Sequence, residues 1–386
     1  MTTARTTPLT AHDHALLGRA LELAQQSIGL SDPNPRVGCV LHDAHGQLAG
    51  EGHTQQAGGA HAEVMALRDA AAAGRSVLGG TAWVSLEPCA HHGRTPPCAD
   101  ALVAAGLARV VVATADPFAQ VAGRGMARLQ AAGLQVALAE PGATTRAAHA
   151  LNIGFFSRVI RQRPWVRLKI AASLDGRTAL ADGSSQWITG SQARADGHRW
   201  RKRSGAVLTG LGTVRDDDPR LDVREVATAQ QPLRVVVDSA FHTPVTARLL
   251  ALPGRAWVVG AQAHPQRMDA LRKAGATVML LPGPQGQVDL AMLLAHLAAD
   301  GVNELQVEAG ATLNGALVQA GLVDELLVYL APKLLGPGRD MVGLSALQNL
   351  SQSMPLRFEA IRQIGDDLCI RACRVGADDF LGGTAG

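Results

Sequence analysis

The feature that most constrains this chain is a change of hydrophobic period that recurs along its length. Short apolar runs of strand length alternate with stretches whose apolar residues return every three or four positions. In the first half, strand-like runs stand at 37–41, 83–86 and 110–113, with helical stretches at 62–73, 98–105 and 124–132. Ahead of them Leu17, Ala20, Leu21 and Ala24 mark an amphipathic helix, with Thr10 placed to cap it. A second series of runs, at 165–172, 206–209, 233–238, 256–259, 277–281, 304–308 and 325–330, is again interspersed with helical segments. Two late stretches, 358–364 and 368–373, predict a hairpin about Gly365-Asp366-Asp367. Such alternation gives layered α/β architecture, and two blocks of it in 386 residues give two domains. Between them, 151–163 reads as a connector, because Asn152 and Gly154 weaken a helix and Pro164 disfavours one just before it. The expected division is 1–150, the connector 151–163, a second domain over 164–376, and a frayed tail of small residues at 377–386.

Composition narrows the function classes. Apolar residues make up 47% and charged residues 18%, which excludes a disordered chain. No apolar run reaches the ~18–20 residues of a membrane span, and the first residues lack the charged-then-apolar layout of a signal peptide, so a cytoplasmic location is expected. The net charge is only +3 and aromatic residues only 3%, so there is neither a basic surface nor a supply of stacking platforms for nucleic acid. The one basic cluster, Arg199, Arg201, Lys202 and Arg203, suits a phosphate-bearing small molecule or a solvated helix face. Five cysteines, an odd number, argue against a disulfide framework.

The cysteines and histidines of the first half carry chemistry. His61-Ala62-Glu63 is followed by Pro88-Cys89 and then by Cys98. One imidazole and two thiolates give Zn²⁺ three protein ligands and leave a fourth position for water, the layout of a catalytic rather than a structural site. Singly, His61 reads as a surface residue and the cysteines as small buried hydrophobes; together they match zinc deaminases, in which the Glu of His-x-Glu shuttles protons and does not bind metal. In mid-helix His61 and Glu63 would point about 200° apart, so the motif belongs at a helix start, where both can turn to one centre. Cys39, Cys369 and Cys373 lie in apolar runs and read as core.

Eight residues separate Cys89 from Cys98, where the commoner deaminases have two. The loop His91-His92-Gly93-Arg94-Thr95-Pro96-Pro97, with Asp32-Pro33-Asn34-Pro35-Arg36-Val37-Gly38-Cys39-Val40, Gly50-Glu51-Gly52-His53 and Val121-Ala122-Gly123-Arg124-Gly125, resembles the deaminase domain of bifunctional riboflavin biosynthesis proteins. That resemblance implies a cytidine-deaminase-like α/β/α sandwich in which Asn34, His53, Arg94 and Asp116 hold a phosphoribosylaminopyrimidine. It also implies hydrolytic deamination with Glu63 as the proton shuttle. Phe118 and Ala119 stand where relatives commonly have Asn and Pro.

The second half has no Gly-x-Gly-x-x-Gly fingerprint, so a Rossmann domain is not indicated. Its ordered landmarks are 169–177, 184–189, 210–219, Val237-Asp238-Ser239 and the strand-to-helix turn Val307-Glu308-Ala309-Gly310. They resemble the reductase domain of the same family, with a dihydrofolate-reductase-like α/β fold. The resemblance implies NADPH contacts from Ala171, Trp187, Thr213, Asp217, Ser239, Gly310, Ala311, Thr312, Leu313, Asn314, Gly315 and Ala316. It implies substrate contacts from Ser185, Arg201, Leu221, Arg224 and Glu308, with Lys169 as a possible assistant at the ribose C1 position. The expected partners are a phosphorylated pyrimidine and a second copy of the chain in a homo-oligomer (dimer or tetramer), with neither nucleic acid nor membrane. The alternatives are a single-activity deaminase and a nucleic-acid-editing deaminase.

Overall fold

The computed structural model describes residues 8–90, 97–118 and 122–384, which divide into two compact units, the described residues up to Arg161 together with those from Phe380 on, and Gln162–Asp379. The first unit runs α1 (Ala11–Gln25), β1 (Gly38–His42), β2 (Leu48–His53), α2 (Ala62–Ala72), β3 (Thr81–Val84), α3 (Cys98–Ala104), β4 (Arg109–Val112), α4 (Arg124–Ala131), β5 (Gln135–Leu138) and α5 (Ala143–Arg161). Thr10 caps α1 as expected, in a reciprocal capping box with Asp13. Asp13 then also receives the Trp83 indole N–H at 2.9 Å and Arg109, which ties the helix to β3 and β4. The sheet order is β2-β1-β3-β4-β5, antiparallel on the β2-β1-β3 side and parallel from β3 to β5.

Strand alternation sorts the core into two layers. Trp83 and Val111 face Leu17, Leu21, Ala148 and Leu151 of α1 and α5. Ala82, Val84, Val110 and Val112 face Ala66, Leu102 and Leu129 of α2, α3 and α4. This is the expected α/β/α sandwich.

The stretch expected as a connector, 151–163, is corrected by the structure: its residues up to Arg161 are the second half of α5. Asn152 departs from helical geometry (φ −108°, ψ 15°), yet it bends the helix without ending it. Its side-chain amide receives the Arg36 backbone N–H at 2.8 Å and donates to the Arg36 carbonyl at 2.9 Å, tying the loop before β1 to the kink. The residues read as a frayed tail include a 3₁₀ turn, Asp379–Thr384, whose Phe380 and Leu381 pack against the first unit's core.

The second unit runs β6 (Trp165–Ser173), β7 (Arg177–Leu180), α6 (Ser191–Arg203), β8 (Ala206–Gly210), α7 (Leu211–Asp217), β9 (Leu233–Val237), α8 (Arg248–Ala251), β10 (Ala256–Gly260), α9 (Pro265–Lys273), β11 (Thr277–Leu280), α10 (Leu290–Ala299), β12 (Glu304–Val307), α11 (Ala311–Gln319), β13 (Glu325–Ala331), β14 (Gly338–Asp340), β15 (Leu356–Ile364) and β16 (Asp367–Arg374). Its main sheet has the order β11-β10-β9-β8-β12-β6-β13-β16-β15. The strands from β11 to β13 are parallel; β16 and β15 add the expected hairpin antiparallel to β13. β7 and β14 pair in a separate ribbon. The buried parallel strands read as near-continuous apolar runs because helices cover both faces. At the strand bases Arg167, almost fully buried, lies between Glu304 and Glu325 at 2.9 Å from each.

Candidate active sites

In the first unit, α2 starts where the sequence places it. His61 is the N-cap residue with extended backbone (φ −78°, ψ 168°), and Glu63 falls in the first helical turn. The change from extended to helical backbone between them turns two side chains of spacing two toward one place. Cys98 is the first residue of α3, and Cys89 follows β3, where its Sγ receives the Cys98 backbone N–H at 3.3 Å. His61 Nδ1 is 3.2 Å from Cys98 Sγ and 3.6 Å from Cys89 Sγ. A tetrahedral zinc with bonds of about 2.0–2.1 Å to nitrogen and 2.3 Å to sulfur would need an N···S edge of about 3.6 Å. The three ligand atoms, all within 4.8 Å of one another, fit that ion. Among the described residues no other group of three such side chains does.

The electrostatics suit the same use. The hydrogen bond from Cys98, with His61 alongside, draws the Cys89 thiol down toward thiolate, and Cys98 is pushed up in consequence. Burial, with the Cys89 charge adding to it, pushes the Glu63 carboxyl up to about 7, where a carboxyl can both take and return a proton near neutrality. A cavity of about 410 Å³ opens beside His61, Glu63 and Cys89, and Asn34, Asp116 and Phe118 line it. Asp116 is likewise raised to about 7, chiefly by burial. It accepts the Phe118 backbone N–H at 2.8 Å. His53, at the end of β2, is turned to Ser27 and Gln55 and does not line the cavity. Arg94 and Ala119 lie outside the described residues.

Sequence reasoning missed Glu87. Its buried carboxylate accepts the backbone N–H groups of Asp116, Gly123, Gly125 and Met126 at 3.0–3.2 Å, clamping the loop after β4 and the start of α4 against the Cys89 segment. Its position directly before Pro88-Cys89 was the available signal. Phe155 and Arg158 of α5 also line the cavity, and their assignment to a connector hid them.

In the second unit a cavity of about 840 Å³ lies at the carboxyl ends of the parallel strands β6, β8, β9 and β12, where ligands of α/β sheets bind. Of the expected cofactor residues, Ala171, Thr213, Asp217 and Ser239 line it, as do Gly310, Ala311, Thr312, Leu313 and Ala316 at the start of α11. Gly310 caps α11 with no side-chain hydrogen bond, so no capping side chain occupies the free N–H groups of the helix start. Asn314 and Gly315 turn away from the cavity. Asn314 donates to the Met341 carbonyl at 2.9 Å, and a Cβ on Gly315 would lie 2.1 Å from the Gly343 carbonyl oxygen. Trp187 is 61% exposed beneath the Arg194 guanidinium and is outside the lining.

Of the expected substrate residues, Ser185 and Glu308 line the cavity, and Ser185 Oγ donates to Asp217 at 3.1 Å. Arg201 instead grips Glu308 with a two-pronged contact at 2.6 and 2.8 Å, and donates to the Asp222 carbonyl at 3.0 Å. Burial alone would raise Glu308, but Arg201, with Lys169 and Gln306, holds it well below the usual carboxylate range. Lys169, on β6 in the cavity wall, is lowered by burial, with Arg201 adding and Glu308 opposing. Leu221 is buried with φ 54°, a left-handed turn, and Arg224 pairs with Asp222 at 2.8 Å; neither lines the cavity. The ribbon of β7 and β14 was missed, and Thr178, Arg339 and Asp340 bring it into the wall.

Residues 10–114 match the cytidine and deoxycytidylate deaminase zinc-binding region, and residues 164–370 match the RibD C-terminal domain. Riboflavin biosynthesis protein RibD of Escherichia coli is 45% identical over 93% of this chain and 98% of its own, and that of Aquifex aeolicus 37% identical over 91% and 95%. The solved structure of Acinetobacter baumannii RibD superposes with a TM-score of 0.84 at 40% identity, covering 94% of this chain and 98% of that one. The diaminohydroxyphosphoribosylaminopyrimidine deaminase/5-amino-6-(5-phosphoribosylamino)uracil reductase of Thermotoga maritima gives 0.82 at 28% identity over the same shares. Two sites of different chemistry on one chain, each in a matched domain, agree with full-length relatives that carry both: this chain belongs to the RibD family of bifunctional riboflavin biosynthesis enzymes.

Proposed function

We propose that the first unit hydrolytically deaminates 2,5-diamino-6-(5-phosphoribosylamino)pyrimidin-4-one and that the second reduces the ribosyl chain of the product to ribityl with NADPH. The observation that carries the first half is the His61–Cys89–Cys98 cluster with Glu63 beside it in the same cavity. His61, Cys89 and Cys98 hold zinc, which when bound brings the pKa of water down to about 7. A Glu63 carboxylate oxygen takes the proton of the attacking water and gives it to the departing amino nitrogen, so water enters and ammonia leaves. Asn34 and Asp116 orient the pyrimidine, and the resemblance assigns His53 and Arg94 to the same substrate.

In the second unit NADPH, when bound, supplies hydride to the ribosyl C1. Gly310, Ala311, Thr312, Leu313 and Ala316 at the start of α11 would hold its phosphates, and Ala171, Thr213, Asp217 and Ser239 would line the rest of its pocket. Glu308 holds sugar hydroxyls, Ser185 binds the substrate, and Lys169 assists at C1. Arg201 acts by holding Glu308. Leu221 turns the chain that presents Arg224, to which we assign the substrate phosphate. Trp187, Asn314 and Gly315 serve the cofactor by shaping the segments around it. A homo-oligomer is the proposed assembly, supported by the exposed Phe358 and Ile361 on the edge strand β15. Among the described residues no helix is long and apolar enough to cross a membrane.

The direct test of the shuttle is Glu63→Gln, which should keep about one zinc per chain and lose ammonia release by roughly 10²–10⁴-fold. Loss of zinc in that variant would make Glu63 a ligand; full activity in protein stripped of zinc would remove the mechanism.

A further inference from the structure

In the parallel register of β6 and β13, Lys169 is paired with Leu327 and Ala171 with Tyr329, so strand alternation puts Lys169 and Tyr329 on one face of the sheet. The helix α6 covers that face. A Cβ on its Gly197 would lie 4.0 Å from Lys169 Cε, and its Asp196 accepts the Tyr329 hydroxyl at 2.6 Å. Tyr329, the chain's one tyrosine, is almost fully buried beside Ala193, Leu327 and Cys369, and Asp196 is buried too. Burial, with Asp196 adding to it, pushes the phenol up, so the ring stays neutral and keeps donating to Asp196. Lys169 Nζ lies 5.8 Å from the centre of that ring. Among the described residues the ammonium makes no hydrogen bond and no ion pair; Glu308 attracts it and Arg201 repels it from farther away.

We propose that Tyr329, anchored by Asp196, is a positioning residue of the reductase whose ring face seats the Lys169 ammonium in the cavity wall. The inference rests on the reductase reading, in which Lys169 assists at C1. A point charge on a flexible four-carbon stem needs something to fix it, and here no acceptor does. An aromatic face within about 6 Å attracts a cation through its quadrupole, more strongly out of water. That attraction also favours the charged lysine, against the burial and the Arg201 charge that disfavour it. The charge matters because the reduction uses a proton. C1 gains the hydride of NADPH, its bond to the ring oxygen breaks, and that oxygen takes up a proton, which a charged Lys169 can give and a neutral one cannot. Activity that depends on this proton is lost as pH rises through the lysine pKa, so weakening the ring contact moves the loss to lower pH. The other groups facing the pair are Asp196 and Arg201 of α6, Glu308 beyond β12 and Cys369 of β16; His198, next to Gly197, is turned to the Arg224 backbone N–H.

A single tyrosine makes the contact readable without catalysis. In the full chain prepared with isotope-labelled tyrosine, the one ring signal in the NMR spectrum should titrate as pH is raised from neutrality, below the ordinary lysine value of 10.5, and Lys169→Gln should abolish that titration. NADPH oxidation on the deaminated substrate should lose activity through the same pH range. Tyr329→Leu should move this basic limb down by roughly 0.4–1.5 pH units. Tyr329→Phe, which keeps the ring and drops the bond to Asp196, should fall between the two. The shape of each profile does not depend on how much of a variant is folded. A tyrosine titration that survives Lys169→Gln would belong to another group, such as Cys369, and would overturn the proposal. So would a limb unmoved in Tyr329→Leu, or moved as far in Tyr329→Phe. Wild-type protein that oxidises no NADPH while its tyrosine signal still reports Lys169 would instead overturn the reductase reading, a distinct result.

Discussion

Arg201 holds Glu308 with both prongs of its guanidinium. The carboxylate is half-buried in the cavity wall, and the guanidinium fork keeps it ionised. Removing one partner of a buried pair leaves an uncompensated charge, at a cost of about 3–5 kcal/mol if it stays ionised. The group escapes that cost by taking up a proton. Because the folded-state pKa of Glu308 is depressed, its charge persists far down the acid range in the wild type; in Arg201→Ala it rises. The acid limb of the reductase pH profile should therefore move to higher pH in Arg201→Ala, with kcat down at least about tenfold. Arg201→Lys should rescue only part, lacking the fork. An acid limb that stays in place would contradict this account. The convergence of His61, Glu63, Cys89 and Cys98 was legible in the sequence because metal ligation and proton transfer, the chemistry proposed for them, admit few residue types. The Glu87 clamp and the Arg201–Glu308 grip were not, since what those side chains do depends on backbone and charge brought from distant segments.

Strands rich in branched apolar residues, such as β4 and β9, announce themselves, whereas β2, Leu-Ala-Gly-Glu-Gly-His, does not. Its glycines are there because α2 lies against the strand: a Cβ on Gly50 would sit 2.3 Å from the Ala66 carbonyl oxygen, and one on Gly52 2.4 Å from the Ala66 nitrogen. A missing side chain thus records a neighbour that local sequence cannot name. The same holds for α5, where Asn152 and Gly154 imitate a linker because Asn152 spends its amide on another segment. Gly125 offers the sharpest test, since a Cβ there would meet the Pro88 carbonyl oxygen at 1.9 Å, next to Cys89. Gly125→Ala should displace that segment, drop zinc below about one per chain and leave NADPH oxidation intact. Gly18, with nothing within 4 Å of its Cβ position, is the control. Gly18→Ala should stabilise α1 by roughly 0.5–1 kcal/mol. Full zinc in Gly125→Ala would refute the close approach as a constraint on the site.

The two units have separate cores and separate chemistry, which predicts separable failure. Cys89→Ser should abolish ammonia release and spare reduction of the deaminated substrate. Acid should act on the second unit through Glu325, which burial would raise but which Arg167 and Arg371, with the Trp165 indole, bring from its ordinary 4.5 to about 2. A depressed carboxyl stabilises the fold above its unfolded value, and that stabilisation is lost as pH falls through the folded one. Stability on the order of 3 kcal/mol should therefore drain away between pH 4.5 and about 2 in the wild type, and much less of it in Glu325→Gln. Equal acid sensitivity in both proteins would exclude Glu325 as the group responsible. The account as a whole meets its most direct test when ammonia release and NADPH oxidation are followed together on the diamino phosphoribosyl substrate, before and after zinc is removed. The expected result is ammonia first and NADPH oxidised in equal amount afterwards. Chelation should stop both on this substrate, while oxidation on the deaminated compound continues. NADPH oxidised without ammonia, or ammonia released at full rate without zinc, would contradict it.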